Sequence, residues 1–233
     1  MRNVREILRS MNVLIVFAHP EPKSFNGALF HRAIEALTNA GHTVATSDLY
    51  AMDFDPRSSR ANFLQQKNPD FFKPQAEERH AVEIQGFAPA LEAEMRKLEA
   101  ADLVIFQFPM WWFSLPAILK GWVDRVFAAN RAYGSGRIYD KGFFRGKRAL
   151  LSTTTGGFES SYVDGGEEGD ILGILRPIHR GIFQFTGFNV LAPAIFYGPA
   201  RVEPNQRQQW LDQWAQRLQS IESEQPIEVG PYA

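Results

Sequence analysis

The sequence of 233 residues predicts an α/β fold, a five-stranded doubly wound parallel sheet with helices on both faces. Two observations carry that expectation. Short apolar runs are continuous rather than alternating, as strands covered on both faces must be. Segments of helical period separate them, and right-handed crossovers of that kind cover both sides of one sheet. Residues 13–18 form the first strand. Ser24 then caps a helix in which Ala28, Leu29, Ala33, Ile34 and Leu37 recur at helical spacing, and Gly41 stops it. Residues 43–49 are the second strand, and Leu91, Met95 and Leu98 mark a helix at i, i+4, i+7. Residues 102–108 are the third strand. Pro116 suits a helical first turn ahead of the apolar face of Ile118, Leu119, Trp122, Val123 and Val126. Residues 148–153 are the fourth strand, 171–178 have helical spacing, 190–196 are the fifth strand, and Trp210, Trp214, Leu218 and Ile221 stripe a closing helix.

Met1 to Ser10 carries three arginines and no apolar run, and is expected to be an extension upstream of a single domain over residues 11–233. The polar stretch 55–85, with Pro56, Pro69 and Pro74, is too long for a tight connection. It is expected to be an irregular excursion that caps a ligand or reaches a partner subunit.

Composition removes several function classes. The 25 Lys+Arg against 26 Asp+Glu leave a net charge of -1, so no polycationic surface awaits nucleic acid or anionic lipid. Without cysteine there is no disulfide, thiolate nucleophile or iron–sulfur cluster, and a cytoplasmic protein is expected. The most lipid-like window, 103–119, is interrupted by Gln107, Pro109, Ser114 and Pro116, so no membrane insertion is expected. The histidines show no metal spacing; His31, His42 and His80 read as solvated, and His179 as helical packing or surface. No Gly-x-Ser-x-Gly elbow is present.

Ligands of such a sheet bind beyond the carboxyl ends of its strands, where the strand order reverses. Three loops end there. His19-Pro20-Glu21-Pro22-Lys23-Ser24-Phe25-Asn26 offers free N–H groups at Phe25 and Asn26, the Ser24 hydroxyl, a helix dipole and the donors His19 and Lys23, a set suited to phosphate or pyrophosphate. The same residues also make a plain N-cap, and no P-loop or GxGxxG pattern is present. Pro109-Met110-Trp111-Trp112-Phe113 places three aromatics at a strand end, suited to a planar ligand or equally to a core or an oligomer interface. Thr153-Thr154-Thr155-Gly156-Gly157 lets a ligand approach the backbone, as ordinary turns also do.

At these residues the sequence resembles the NAD(P)H:quinone oxidoreductase family, the DT-diaphorase-like flavoenzymes of flavodoxin-like fold. The resemblance rests on Ala18-His19 with Ser24-Phe25-Asn26, on residues 47–56 and 98–127, on Tyr139-Asp140-Lys141-Gly142 and on Thr154-Thr155-Gly156-Gly157, and covers about residues 12–222. It implies a homodimer with FAD, or FMN, at two interface sites, where NADH or NADPH and then a quinone occupy one pocket in turn. It implies that His19, Ser24, Phe25 and Asn26 hold the ribityl-pyrophosphate region. Pro109, Met110, Trp111, Trp112 and Phe113 carry the ring, Thr154, Thr155, Gly156 and Gly157 its other edge, and Arg207 lies near the adenine end. It places Trp112, Phe113, Tyr133 and Phe185 around the substrate, and Tyr162, Gly156 and Gly157 at the catalytic position.

Three departures bear on that pattern. Glu168 stands where the family has a histidine beside Tyr162, Ser135 where it often has a second pocket tyrosine, and the chain stops at Ala233 without the long C-terminal extension of larger members. A carboxylate near a negatively charged ring is unfavourable unless neutral, paired or turned outward. Two other readings share the fold: an FMN-dependent azo or nitro reductase, and a regulatory subunit of a potassium-efflux transporter.

Overall fold

The computed structural model describes residues 10–232, so residues 1–9 of the expected extension lie outside it. The chain runs β1 (Asn12–Phe17), α1 (Phe25–Asn39), β2 (Thr43–Asp48), α2 (Pro74–Ile84), α3 (Pro89–Ala100), β3 (Leu103–Pro109) and α4 (Ala117–Val126). There follow β4 (Arg148–Thr155), α5 (Ile171–Ile178), β5 (Asn189–Val190), β6 (Ala194–Tyr197) and α6 (Pro204–Leu218). The strands form one parallel sheet in the order β2-β1-β3-β4-β5, with β6 also paired to β4. The chain reverses its direction of travel across the sheet between β1 and β3, so the switch point lies there.

The two-residue period of each buried strand divides the interior into two cores. Val13, Ile15 and Phe17 of β1, with Leu103 and Ile105 of β3 and Leu150 of β4, pack against α1 and α6 through Leu29, Phe30, Trp214 and Leu218. Their neighbours Leu14, Val16, Val104, Phe106, Phe108, Ala149 and Leu151 pack against α3, α4 and α5 through Leu98, Trp122 and Leu175. Both faces are therefore apolar, which is why the strands read as unbroken runs. Gly41, at φ +86°, ends α1 as its pattern predicts: its N–H reaches the Thr38 carbonyl and the His42 N–H reaches Leu37.

Four expectations need correction. The single run 190–196 is two short strands, because Pro193 has no N–H to continue the ladder and the chain bends there before pairing resumes at Ala194. The sheet thus has six strands along a five-strand path. The excursion 55–85 is not irregular throughout: Pro74 opens α2, whose buried Ala81 joins Phe63 and Phe87 in the α3–α5 core. Its carboxylates are internal ties, since Glu77 accepts the Lys67 and Asn68 N–H groups and Glu78 accepts that of Ala129. His42 is buried rather than solvated, because the turn at Gly41 carries it inward to accept the Met11 N–H at Nδ1. His80 is half-buried rather than solvated, facing Glu83 across 3.9 Å.

Candidate functional site at the carboxyl edge of the sheet

Thr154 is the point where the three loops meet. Its hydroxyl oxygen accepts from Asn26 Nδ2 at 2.8 Å, and its carbonyl accepts from the Met110 N–H at 2.8 Å. Gln107 Nε2 donates to Asn26 Oδ1 at 2.8 Å, completing a buried chain across β3, α1 and β4. Polar groups so enclosed persist only when bonded. Gln107 was not singled out in the sequence, yet a lone amide inside the apolar run Ile105-Phe106-Gln107-Phe108 is the signal that could have found it. Asn26 spends its side chain on this network, which leaves only its backbone N–H free.

The first loop is drawn tight on α1. The Ser24 hydroxyl accepts from the Gly27 N–H at 3.1 Å, which leaves the Phe25 and Asn26 N–H groups without a helical acceptor. A Cβ on Gly27 would lie 2.0 Å from the Pro22 carbonyl oxygen, so only glycine admits that approach. The Glu21 N–H donates to His19 Nδ1 at 3.0 Å, and burial, against the opposing pull of Glu21, holds the His19 imidazole below its ordinary pKa. Nδ1 also lies 3.0 Å from the Glu21 carbonyl oxygen, so it accepts from the one group or donates to the other according to the ring's tautomer.

The second loop is a two-residue turn. Trp111 and Ser114 exchange N–H···O bonds at 3.1 and 3.0 Å, and Trp112 and Phe113 form the tip with φ of +51° and +56°. Turns of this geometry normally carry Asn-Gly, because bulky residues are strained at positive φ. The tip projects outward: Trp112 is 94% exposed and Phe113 48%.

At the third loop, Thr155 Oγ1 donates to the Gly157 carbonyl at 2.8 Å. A Cβ on Gly156 would meet open space, whereas Gly157 lies against the Tyr162 ring, where a Cβ would come within 3.2 Å. Tyr162 is buried beside Tyr197, with ring centroids 5.8 Å apart. Burial first, and the Glu168 carboxylate second, push the Tyr162 phenol above its ordinary pKa, which keeps it a neutral donor at neutral pH. Glu168 itself is half-buried on the same loop, near enough for its carboxylate to act on Tyr162. The Glu168→Gln variant removes the charge that disfavours tyrosinate, so Tyr162 is expected to ionise at lower pH, read from the ultraviolet tyrosinate absorbance. An unmoved titration would show that Glu168 does not act on Tyr162.

Two further groups of expected residues have partners of their own. Arg207 donates through Nη1 to the Pro199 and Val202 carbonyls at 3.0 and 2.6 Å, and so fixes the loop that leads into α6. Tyr133 and Phe185 touch each other, with centroids 5.9 Å apart, in a 320 Å³ groove lined by Lys120 and Val123 of α4 and by Phe127 at its C-cap. Trp112 and Phe113 do not line that groove. Among the described residues no cluster of His, Asp and Glu is arranged for a metal ion, and no helix is long and apolar enough to cross a membrane.

The model of the flavodoxin-like fold family matches residues 11–220. A mouse protein named ribosyldihydronicotinamide dehydrogenase [quinone] is 47% identical over 94% of this chain and 95% of its own. The rat protein named NAD(P)H dehydrogenase [quinone] 1 is 46% identical over 94% of this chain and 80% of its own. Among solved structures, a candidate quinone reductase from Klebsiella pneumoniae superposes with a TM-score of 0.90 at 41% identity, covering 94% of this chain and 87% of that one.

Proposed function

Because the chain belongs to the flavodoxin-like fold family and three ligand-facing loops converge on Thr154 at its switch point, we propose that it reduces quinones with NADH or NADPH through a bound flavin. The observation that carries this reading is the exposed Trp112–Phe113 tip beside an open glycine and the free Phe25 and Asn26 N–H groups at the start of α1. The Phe25 and Asn26 N–H groups, the Ser24 hydroxyl and the neutral His19 suit a phosphate, which the helix dipole favours. Trp111, Trp112 and Phe113 suit a flat ring on one face, with Pro109 and Met110 beneath. Thr154, Thr155, Gly156 and Gly157 suit its polar edge, where backbone N–H groups meet ring carbonyls. A flavin bound there supplies hydride acceptance and release. Tyr162, held protonated by its surroundings, provides a proton-bearing group at the edge where negative charge collects. One exposed stacking face admits one partner at a time, so donor and quinone take turns.

The half-site is completed by a second copy. Tyr133 and Phe185 lie in their own groove, and Trp111, Trp112, Phe113 and Leu172 leave apolar surface uncovered. A two-fold pair that lays one protomer's groove over the other's aromatic tip unites the pocket residues.

The purified protein is expected to be yellow, to bleach anaerobically on addition of NADH or NADPH, and to regain its colour with a benzoquinone. Analytical ultracentrifugation should give a dimer. A colourless protein that takes up neither FAD nor FMN would sink the reading. FMN released on denaturation, with no FAD, would favour the azo or nitro reductase instead.

One feature favours a donor without phosphates. The segment from Glu159 to Asp170, which carries Tyr162, has five carboxylates and no lysine or arginine. Such a rim repels a dinucleotide's diphosphate more than an uncharged ribosyldihydronicotinamide. The ribosyl donor is expected to show the higher kcat/KM, and added salt is expected to narrow the gap by screening. Equal efficiency with both donors at low salt would remove this preference.

A further inference from the structure

On the far side of Phe185 from Tyr133 lies a 610 Å³ cavity that the proposed reaction does not use. Its walls are residues 139–145 and 180–189, and they are fastened backbone to backbone. A Cβ on Gly142 would stand 2.4 Å from the Thr186 carbonyl carbon, Gly187 sits at φ +104° against Gly142, and the Phe144 N–H donates to Thr186 at 3.0 Å. The cavity is therefore a fixed shape and not a gap between loose loops.

Its chemistry is cationic. Lys141, Arg145 and Arg180 all line it, against Asp140 as its one carboxylate, in a chain whose net charge is -1. Among the described residues none of the three cations has a carboxylate within 4.0 Å, a state they share with most of the chain's lysines and arginines. Arg180 is held in place on two sides: its guanidinium lies 4.1 Å over the Tyr139 ring, and Nη1 donates to Gln184 Oε1 at 3.0 Å. Its Nε is buried and has no acceptor among the described residues. A buried guanidinium donor without an acceptor calls for an explanation, and Arg32 Nε shares that state away from the cavity. Tyr139 adds a second sign, because this non-glycine residue is held at φ +51°.

We propose that this cavity is a second ligand site, which binds a phosphate-bearing anion between Arg180, Arg145 and Lys141. Guanidinium groups suit phosphate oxygens in paired hydrogen bonds, and Lys141 adds a mobile point charge. The volume accommodates a mononucleotide as readily as a free ion. Because Tyr139 meets Phe185 edge-on at 5.6 Å, an occupant would press on the groove that holds Tyr133.

The test is calorimetric titration of the flavin-loaded protein with inorganic phosphate and, separately, with AMP. Saturable binding of at least one probe is expected, weakened about tenfold in the exposed pair Lys141→Gln/Arg145→Gln and also in Arg180→Gln. Binding of AMP alone identifies a phosphate ester with a base as the ligand class, and equal binding of both identifies the phosphate itself. Failure of both probes to saturate, or unchanged affinity in the Lys141→Gln/Arg145→Gln protein, would overturn the proposal. That protein should still bleach with a nicotinamide donor, so the outcome does not depend on the redox reading.

Discussion

Gly27→Ala is expected to empty the site of flavin while weakening the fold. The new Cβ would stand 2.0 Å from the Pro22 carbonyl oxygen and 2.9 Å from its carbon, and both are backbone atoms that no rotamer change can move. Either α1 or the 19–24 loop must shift, and α1 is pinned by Leu29, Phe30, Ala33 and Leu37 in the core. The loop therefore yields, taking with it the Ser24 cap on Gly27 and the alignment of the Phe25 and Asn26 N–H groups. Overpacking costs about 1–3 kcal/mol and a lost cap about 1 kcal/mol. If most of that is set against binding, flavin affinity falls about a hundredfold. Fluorescence titration of the apoprotein reads the affinity, and urea denaturation reads the stability. A variant that binds flavin as tightly as the parent would show that this loop does not hold the cofactor.

The second large effect concerns acid. His179 is 1% exposed at the junction of α5 and the π-helical turn His179–Gln184, and burial pushes its imidazole down to about 4 from the ordinary 6.5. Above pH 6.5 folded and unfolded chains both carry it neutral, and it has no effect. As the pH falls below 6.5 the unfolded chain takes up a proton that the folded chain refuses, so stability is lost until the folded form also titrates near pH 4. A gap of this size corresponds to roughly 3 kcal/mol. His179→Met, similar in bulk and uncharged, is expected to flatten that part of the stability curve in urea denaturation between pH 7 and pH 4. Parallel curves for the two proteins would assign the acid loss to other groups, such as the Asp55 and Glu92 carboxylates that their arginine partners hold low.

The strands and their order were legible because continuous apolar runs such as Val13 to Phe17 have no other easy home than a sheet covered twice. The break at Pro193 was hidden by the apolar residues on either side of it, since hydropathy does not record a missing N–H. Helix α2 escaped notice because it is polar and its buried acids, Glu77 and Glu78, are satisfied by distant backbone groups that local sequence does not show. At the site, the convergence of the 19–26, 109–113 and 153–157 segments followed from strand polarity alone. Their junction at Thr154, and the part of Gln107 in it, depended on side-chain directions across three elements. The groove position of Tyr133 and Phe185 was equally invisible, because it depends on how distant segments pack and not on local sequence.

The Trp112–Phe113 turn has a consequence for how this protein would evolve under heat. Each tip residue sits where an L side chain is disfavoured by about 1 kcal/mol, and within one protomer Trp112, 94% exposed, recovers none of that cost through burial. Replacement by Asn-Gly would relieve the backbone and remove the stacking surface in the same step. Selection for thermal resistance alone would therefore reach this turn early, and the hardier descendants would be those that had traded away their reactivity.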